Sequence, residues 1–279
     1  MSLSGPMAAA PIRFWHQSMT ELQLLGPYRD FIGAHAARVL GTEASITLHG
    51  LRPGSYHGRA PTPALGNAFA FHHILDQVIG QAVEAERTGH DAFVIGSFTE
   101  PYLREIRSVV RIPVVSVVES ALLVGCSLGR KIVPIANGPE LAAIVQAAVD
   151  KHGLRERVLP AVTLSPPWHE PAMAAAIGDP KALIAAFSAT ARGCLERGAE
   201  VIVPAEGVLC AVLSAGNVNE IDGAPVVDVF AAAWLYGVMM VKMQRIFGLR
   251  VSDVGTYAQG DRELVGLLLR ESAARNAPA

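Results

Sequence analysis

Apolar residues in this chain gather into short β-branched and aromatic runs, separated by longer stretches where they recur at helical spacing. Ile12-Arg13-Phe14-Trp15 reads as a first strand, with the polar group His16-Gln17-Ser18-Met19-Thr20 at its carboxyl end. Leu22 to Leu40 predicts a helix, and Glu43 to His49 alternates as a strand does. Gly50 to Asn67 mixes glycine, proline and polar residues and predicts a long loop, of the kind that serves as a lid or binding segment. Ala68 to Thr88 predicts the next helix.

Two stretches share one plan. Gly89-His90-Asp91 leads into Ala92-Phe93-Val94-Ile95 and breaks at Gly96-Ser97-Phe98-Thr99-Glu100-Pro101. Gly198-Ala199-Glu200 leads into Val201-Ile202-Val203 and breaks at Pro204-Ala205-Glu206-Gly207-Val208. An unbroken apolar run is what a strand covered on both faces requires. Pro101 suits the first turn of a helix reaching Val110, because the N–H it lacks would have no partner there. Further on, Arg111-Ile112-Pro113-Val114-Val115-Ser116-Val117 is answered by Gly223-Ala224-Pro225-Val226-Val227-Asp228-Val229, each a Pro-led strand. Such a repeat predicts an internal duplication, with equivalent loops at the carboxyl ends of equivalent strands, where open α/β sheets bind ligands. If the halves face each other, Ser97 and Glu206 stand at matching positions across one cleft.

Between and after these units the pattern continues. Glu119 to Leu128 reads as a helix, Arg130 to Ile135 as a strand, and Ala136-Asn137-Gly138-Pro139 as the turn opening a helix from Glu140 to His152. Arg157 to Leu164 predicts a strand, Ser165 to Pro171 a proline-broken loop, and Lys181 to Arg197 a helix. A helix begins after Glu206 and is interrupted at Ala215-Gly216-Asn217; Phe230 to Phe247 closes the core, and the rest predicts a frayed polar tail. Strands alternating with helices throughout predict an α/β fold with parallel sheets.

Composition narrows the function classes. With 279 residues, 51% of them hydrophobic, the chain can bury a large core in one or two domains. Only 17% are charged and the net charge is −2, so no basic face for nucleic acid is implied and a small-molecule partner is expected. No apolar run approaches the roughly 18 residues of a membrane span, so the chain reads as soluble. The leader Met1 to Ala10 lacks the basic start and apolar core of a secretory signal, and Met1-Ser2-Leu3 is consistent with an expression remnant. Cys126, Cys194 and Cys210 are too few and too irregular for a disulfide framework or zinc site, which fits a reducing cytoplasm. Adjacent His72 and His73 cannot share a helix face, so no metal site is expected. The dinucleotide, P-loop and Gly-x-Ser-x-Gly motifs are all missing.

The duplicated units resemble the aspartate/glutamate/hydantoin racemase superfamily, most closely its hydantoin racemase branch. The likeness also rests on Ile112-Pro113-Val114-Val115 with Glu119-Ser120-Ala121, and on Ala224-Pro225-Val226-Val227-Asp228, and it runs from Ile12 to about Arg245. It implies two pseudo-symmetric α/β lobes, each a mostly parallel sheet flanked by helices, with the site between them. On this chain residues 1–118 and 229–279 form the first lobe and 119–228 the second. It further implies a small carboxylate or cyclic amide substrate, no cofactor, and assembly as a homo-oligomer. In such racemases each loop supplies a cysteine, and the two thiols act as bases on opposite faces of an acidic carbon. The matching positions hold Ser97 and, at or next to the second, Glu206, so both thiols are replaced. Cys210 lies about one helical turn beyond the second loop, and using it would require a different loop conformation.

These replacements redirect the chemistry. A serine hydroxyl donates a hydrogen bond, or attacks a carbonyl if a base removes its proton. A glutamate with an ordinary pKa near ~4.3 becomes a useful base when burial lifts it towards ~6–7. Glu206 opposite Ser97 therefore suits one-sided proton transfer next to a carbonyl, isomerase- or lyase-like, with Ser97, Thr99 and loop N–H groups stabilising the developing charge. His16, Gln17, Ser18, Phe98, Thr99, Asn137, Gly138, Gly207 and Val208 are expected to bind the substrate. Of these, Asn137 and Gly138 offer an amide and an N–H near a helix start, which suits a carboxylate and equally a plain cap. A hydrolase with Ser97 as nucleophile and a catalytically silent small-acid binding protein stand as alternatives. Ser97, Glu206 and Asp228 also fit ordinary helix-capping positions. His57 and Arg59 suit an anionic ligand or a bare surface loop, and Trp168 and His169 a pocket wall or a surface loop.

Overall fold

The computed structural model describes residues 10–275; residues 1–9, most of the leader, and residues 276–279 lie outside the described residues. The first half runs β1 (Ile12–Gln17), α1 (Gly26–Leu40), β2 (Ala44–His49), α2 (Pro61–Leu65), α3 (Ala68–Leu75), α4 (Gln77–Arg87), β3 (Ala92–Ile95), α5 (Leu103–Arg107) and β4 (Val114–Ser116). The chain continues through α6 (Val117–Leu128), β5 (Ile132–Ala136), α7 (Pro139–Lys151), β6 (Val162–Thr163), α8 (Glu170–Ala175), α9 (Lys181–Leu195), β7 (Val201–Pro204) and α10 (Gly207–Ala215). A hairpin of β8 (Glu220–Ile221) and β9 (Ala224–Pro225) precedes α11 (Val229–Phe247) and α12 (Arg262–Arg275).

The first sheet has the order β2-β1-β3-β4, all parallel. Its central strands are apolar at successive positions because both faces are covered. Phe14, Val94 and Val115 point into the main core with Ile32 of α1 and Trp234 of α11. Trp15, Phe93, Ile95 and Val114 point the other way, into a second cluster with Val78 of α4 and Ile106 of α5. The second sheet, β6-β5-β7, is also parallel, and Val226 makes a parallel bridge to Ile202 on the far side of β7. Thus β3 lies between β1 and β4 as β7 lies between β5 and the Val226 segment. One apolar cluster runs through both sheets, joining Phe14 and Val94 to Ile132, Ile135 and Val203.

Several expected elements change extent. The Arg157–Leu164 strand shrinks to β6 and a single Val158–Ile132 bridge, since Pro160 has no N–H for a ladder. The Pro225 strand becomes the second arm of a hairpin turning at Asp222 and Gly223, both with positive φ (49° and 86°), the conformation that an Asp-Gly turn favours. The helix from Ala68 splits at Asp76 into α3 and α4, and the long loop contains α2, opened by Pro61. Pro101 lies in a turn, and α5 starts only at Leu103 because Tyr102 before it is left-handed (φ 53°). The tail is not frayed over its described part: Gln259 donates to the carbonyl of Arg107 at 2.9 Å, Ser272 to Asp76 at 3.2 Å, and α12 packs along α4. Among the described residues, no helix is long and apolar enough to cross a membrane.

Candidate active site

The loop after β3 is shaped by close approach and by a buried anchor. A Cβ at Gly96 would meet Nε2 of His16 at 2.3 Å, so only glycine lets the backbone pass there. Ser97 then forms a local turn: its Oγ lies 2.9 Å from the Thr99 hydroxyl and accepts the Thr99 N–H at 3.2 Å. Glu100 and Tyr102 follow with φ of 42° and 53°, a conformation that costs a non-glycine residue about 1–3 kcal/mol. The buried Glu100 carboxylate holds it, accepting from the Ser116 hydroxyl and from Nε2 of His152 (2.9 Å) and pairing with the Lys151 ammonium. Burial alone would raise the pKa of Glu100; the His152 and Lys151 contacts outweigh it and hold the group below the ordinary range.

In the loop after β7, Glu206 is the N-cap of α10, its Oε2 accepting the Leu209 N–H at 2.6 Å. At the next position a Cβ would lie 2.9 Å from the Tyr28 hydroxyl, so Gly207 lets Tyr28 reach the loop.

The two loops open on one cavity of about 50 Å³, large enough for a few water-sized groups. The first loop contributes Ser97, Phe98 and Thr99, and the second Glu206, Gly207 and Val208. Ser18, Met19 and Thr20 follow β1; Tyr28, Thr62, Leu65, Leu141 and Glu170 complete the wall. Burial is the chief cause that pushes the Glu206 carboxyl up to about 7; its bond from Leu209 works against this, and the neighbouring Glu170 charge adds to it. Burial, and then Glu206, raise the Tyr28 hydroxyl, so it stays a neutral donor. No lysine, arginine or histidine belongs to the lining, and no group of metal-ligating side chains occurs among the described residues.

The Gly50–Asn67 segment lies across this cavity. Glu21 accepts the N–H groups of Gly54 (2.8 Å) and Tyr56 (3.0 Å), and the Tyr56 hydroxyl donates to the carbonyl of Met19 at 2.6 Å. The buried Glu170 accepts the Thr62 N–H at 3.0 Å and also the Thr62 hydroxyl, which ties α2 down. A second cavity of about 660 Å³, walled largely by Leu24, Leu25, Pro27 and Ala174, shares Thr20, Pro61 and Glu170 with the first.

The structure therefore brings together Ser97, Glu206, Ser18, Phe98, Thr99, Gly207 and Val208. It does not bring His16, Gln17, Asn137 or Gly138 to that lining. His16 is fully buried, accepts the indole N–H of Trp234 at Nδ1 (3.1 Å), and is pushed down to about 3 by burial and then by His49. Gln17 is turned inward to Trp15 and the Ser18 carbonyl. Asn137 and Gly138 line an adjoining cavity of about 350 Å³ with Trp168 and His169, which shares Thr62 with the first. Arg59 lines the outer cavity, and His57 is exposed on the loop. Asp228 caps α11 through Ala231 (2.9 Å) and meets Nε2 of His35 at 2.7 Å. Sequence reasoning missed Tyr28, Thr62 and Glu170. The one signal for Glu170 was a charged residue set among the prolines of the Ser165–Pro171 segment.

Solved structures with this fold include allantoin racemases from Klebsiella pneumoniae and Pseudomonas fluorescens. The first has a TM-score of 0.69 at 22% identity, over 90% of this chain and 94% of that one. The second has a TM-score of 0.67 at 20% identity, over 89% and 97%. In sequence, the hydantoin racemase of Rhizobium meliloti is 27% identical over 185 residues, 65% of this chain and 71% of that protein. The hydantoin racemase of Pseudomonas sp. (strain NS671) is 32% identical over 82 residues, a match that spans 33% of that relative's length. The Asp/Glu/Hydantoin racemase family model matches residues 35–235, a span that holds the whole second sheet and both loops, and the chain belongs to this family.

Proposed function

We propose that the protein moves a proton, without a cofactor, at a carbon next to a carbonyl in a small cyclic amide. Glu206 is the base, and Ser97, Thr99 and loop N–H groups stabilise the enolate-like charge that develops. The observation that carries this is a carboxyl raised to about 7 in a cavity it shares with Ser97. Such a group is half ionised near neutrality and strong enough to take a proton.

The lining favours a neutral ring over a carboxylate. Two glutamates face the cavity with no cation among the lining residues, so an anionic ligand would meet like charge at low dielectric. The hydrolase reading draws less support, since the Ser97 hydroxyl is partnered by Thr99 and no histidine belongs to the lining. Assembly as a homo-oligomer is supported by an exposed stripe on α11, Leu235, Met239, Met243 and Ile246, which light scattering on the purified chain tests.

The test of the reaction is to incubate an enantiopure 5-substituted hydantoin with the protein in D₂O. Exchange of the ring C–H for C–D is expected, with or without loss of optical rotation, and Glu206→Gln should abolish it while binding persists. Absence of exchange across a panel of cyclic amides overturns the reading.

A further inference from the structure

Glu170 is a second carboxylate of the cavity; its charge helps to raise the Glu206 pKa, but the proton transfer described above gives it no contact with the substrate. Its residue is 4% exposed, and only one of its oxygens is satisfied. Oε1 takes both Thr62 donors, whereas Oε2 is buried with no hydrogen-bond partner. An acceptor left unmet in a protein interior costs stability, and most such atoms find a donor. The inner lining supplies no cation to meet it, the Ser97 and Thr99 hydroxyls are turned to each other, and Arg59 of the outer wall donates to the carbonyl of His57 at 3.4 Å. A ligand N–H is a donor that suits this position.

We propose that Glu170 contacts the bound substrate, its Oε2 accepting a ring N–H of the ligand while its Oε1 holds α2 closed over the cavity. This rests on the reading of Glu206 as the base and adds a residue that sets which way round the ring lies. Glu170 belongs to the walls of both the inner cavity of about 50 Å³ and the outer one of about 660 Å³, so it stands where the two meet. A ring that places its acidic carbon at Glu206 and its substituent in the outer cavity passes its N–H groups by this carboxylate. The ligand class that results is a neutral ring with an amide or ureido N–H beside the reacting carbon. Because the same carboxylate bonds Thr62, ligand capture and closure of α2 act through one side chain.

The experiment measures, by calorimetry, the affinity of a 5-alkyl hydantoin and of each of its N-methyl forms for the wild-type chain, Glu170→Gln and Thr62→Val. Glutamine still accepts from Thr62 but presents an NH₂ where Oε2 was. For one ring nitrogen, the wild-type preference for N–H over N-methyl should shrink by about tenfold or more in Glu170→Gln, a coupling that steric exclusion of the methyl group does not produce. Thr62→Val should weaken all ligands and keep the preference. If Glu170→Gln keeps the wild-type preference while C–H exchange still depends on Glu206, this inference fails alone. If the wild-type chain binds no cyclic amide, it falls together with the reading of the reaction.

Discussion

The indole N–H of Trp234 donates to Nδ1 of His16 at 3.1 Å, which leaves the imidazole proton on Nε2, against the backbone of Gly96. A residue of α11 thereby fixes the ring on which the Ser97 loop rests. With its pKa near 3, His16 stays neutral across the working range and is a spacer, not a base.

Gly96→Ala tests that support. The new methyl would fall 2.3 Å from Nε2 and 3.0 Å from the carbonyl of Gln17, and Trp234 prevents the ring from moving aside. Overpacking of this kind costs about 1–3 kcal/mol or more and displaces Ser97. A lowered urea midpoint together with reduced substrate exchange is expected; full stability with full exchange would remove His16 from the account of the loop.

Glu206 links rate and stability to one titration. Its pKa is raised in the fold from 4.5 to about 7, so the folded state keeps a proton that the unfolded chain releases. Stability from this group is greatest below pH 4.5, declines as pH rises to about 7, and is level above it. The shift corresponds to about 3 kcal/mol at most. Glu206→Gln should therefore be more stable than the wild type above pH 7 and lose the slope between, as thermal unfolding at a series of pH values will read. In the wild type, kcat/KM should rise with pH through about 7 and then flatten, as expected when the ionised form is the base.

Much of this site was legible in the sequence because its two halves repeat. The apolar runs at Ala92 and Val201 marked central strands, and the loops at Ser97 and Glu206 do meet at one cavity. Side chains at a strand end were harder to place. Reading β1 as ending at Trp15 sent His16 and Gln17 to the cleft, but the strand runs two residues further and both are taken by Trp234 and Trp15. Asn137 follows β5 next to a helix start, the right kind of place, yet opens on a neighbouring cavity. Glu170 and Tyr28 come from segments with no periodic relation to the loops. Only tertiary packing brings them to Glu206, so no spacing rule finds them.

Cys210 is the thiol nearest the second loop, and its surroundings keep it inert. It is buried in α10, and burial, followed by the charge of Asp228 with Oδ1 4.0 Å away, pushes its pKa well up. A thiol held protonated is neither base nor nucleophile. Cys210→Ala should keep its exchange activity with a stability loss of about 1 kcal/mol, and iodoacetamide should label the native chain at this residue only after unfolding. Rapid native labelling accompanied by inactivation would return Cys210 to the mechanism.

Glu100 holds the first loop from behind, and its removal should separate positioning from chemistry. Its carboxylate accepts from Ser116 and His152 and pairs with Lys151, joining the turn after Ser97 to β4 and to the end of α7. Glu100→Ala strips these groups of their shared partner, a change that typically costs about 3–5 kcal/mol for a buried pair. The strained backbone at Glu100 and Tyr102 then loses its restraint, and the Ser97 turn is free to shift within the cavity it shares with Glu206. Glu100→Gln keeps the shape without the charge and should be milder on both counts. The sign of the pH effect is opposite to that of Glu206. The pKa of Glu100 lies below its ordinary 4.5, so its contribution is present above pH 4.5 and is lost as acid protonates it. Urea unfolding of Glu100→Gln should accordingly show a weaker loss of stability on acidification than the wild type. At neutral pH its rate should fall while the midpoint of the rise in kcat/KM near 7 is kept, because Glu206 is untouched. An unaltered acid limb together with an unaltered rate would mean that the Ser97 turn keeps its shape without this carboxylate.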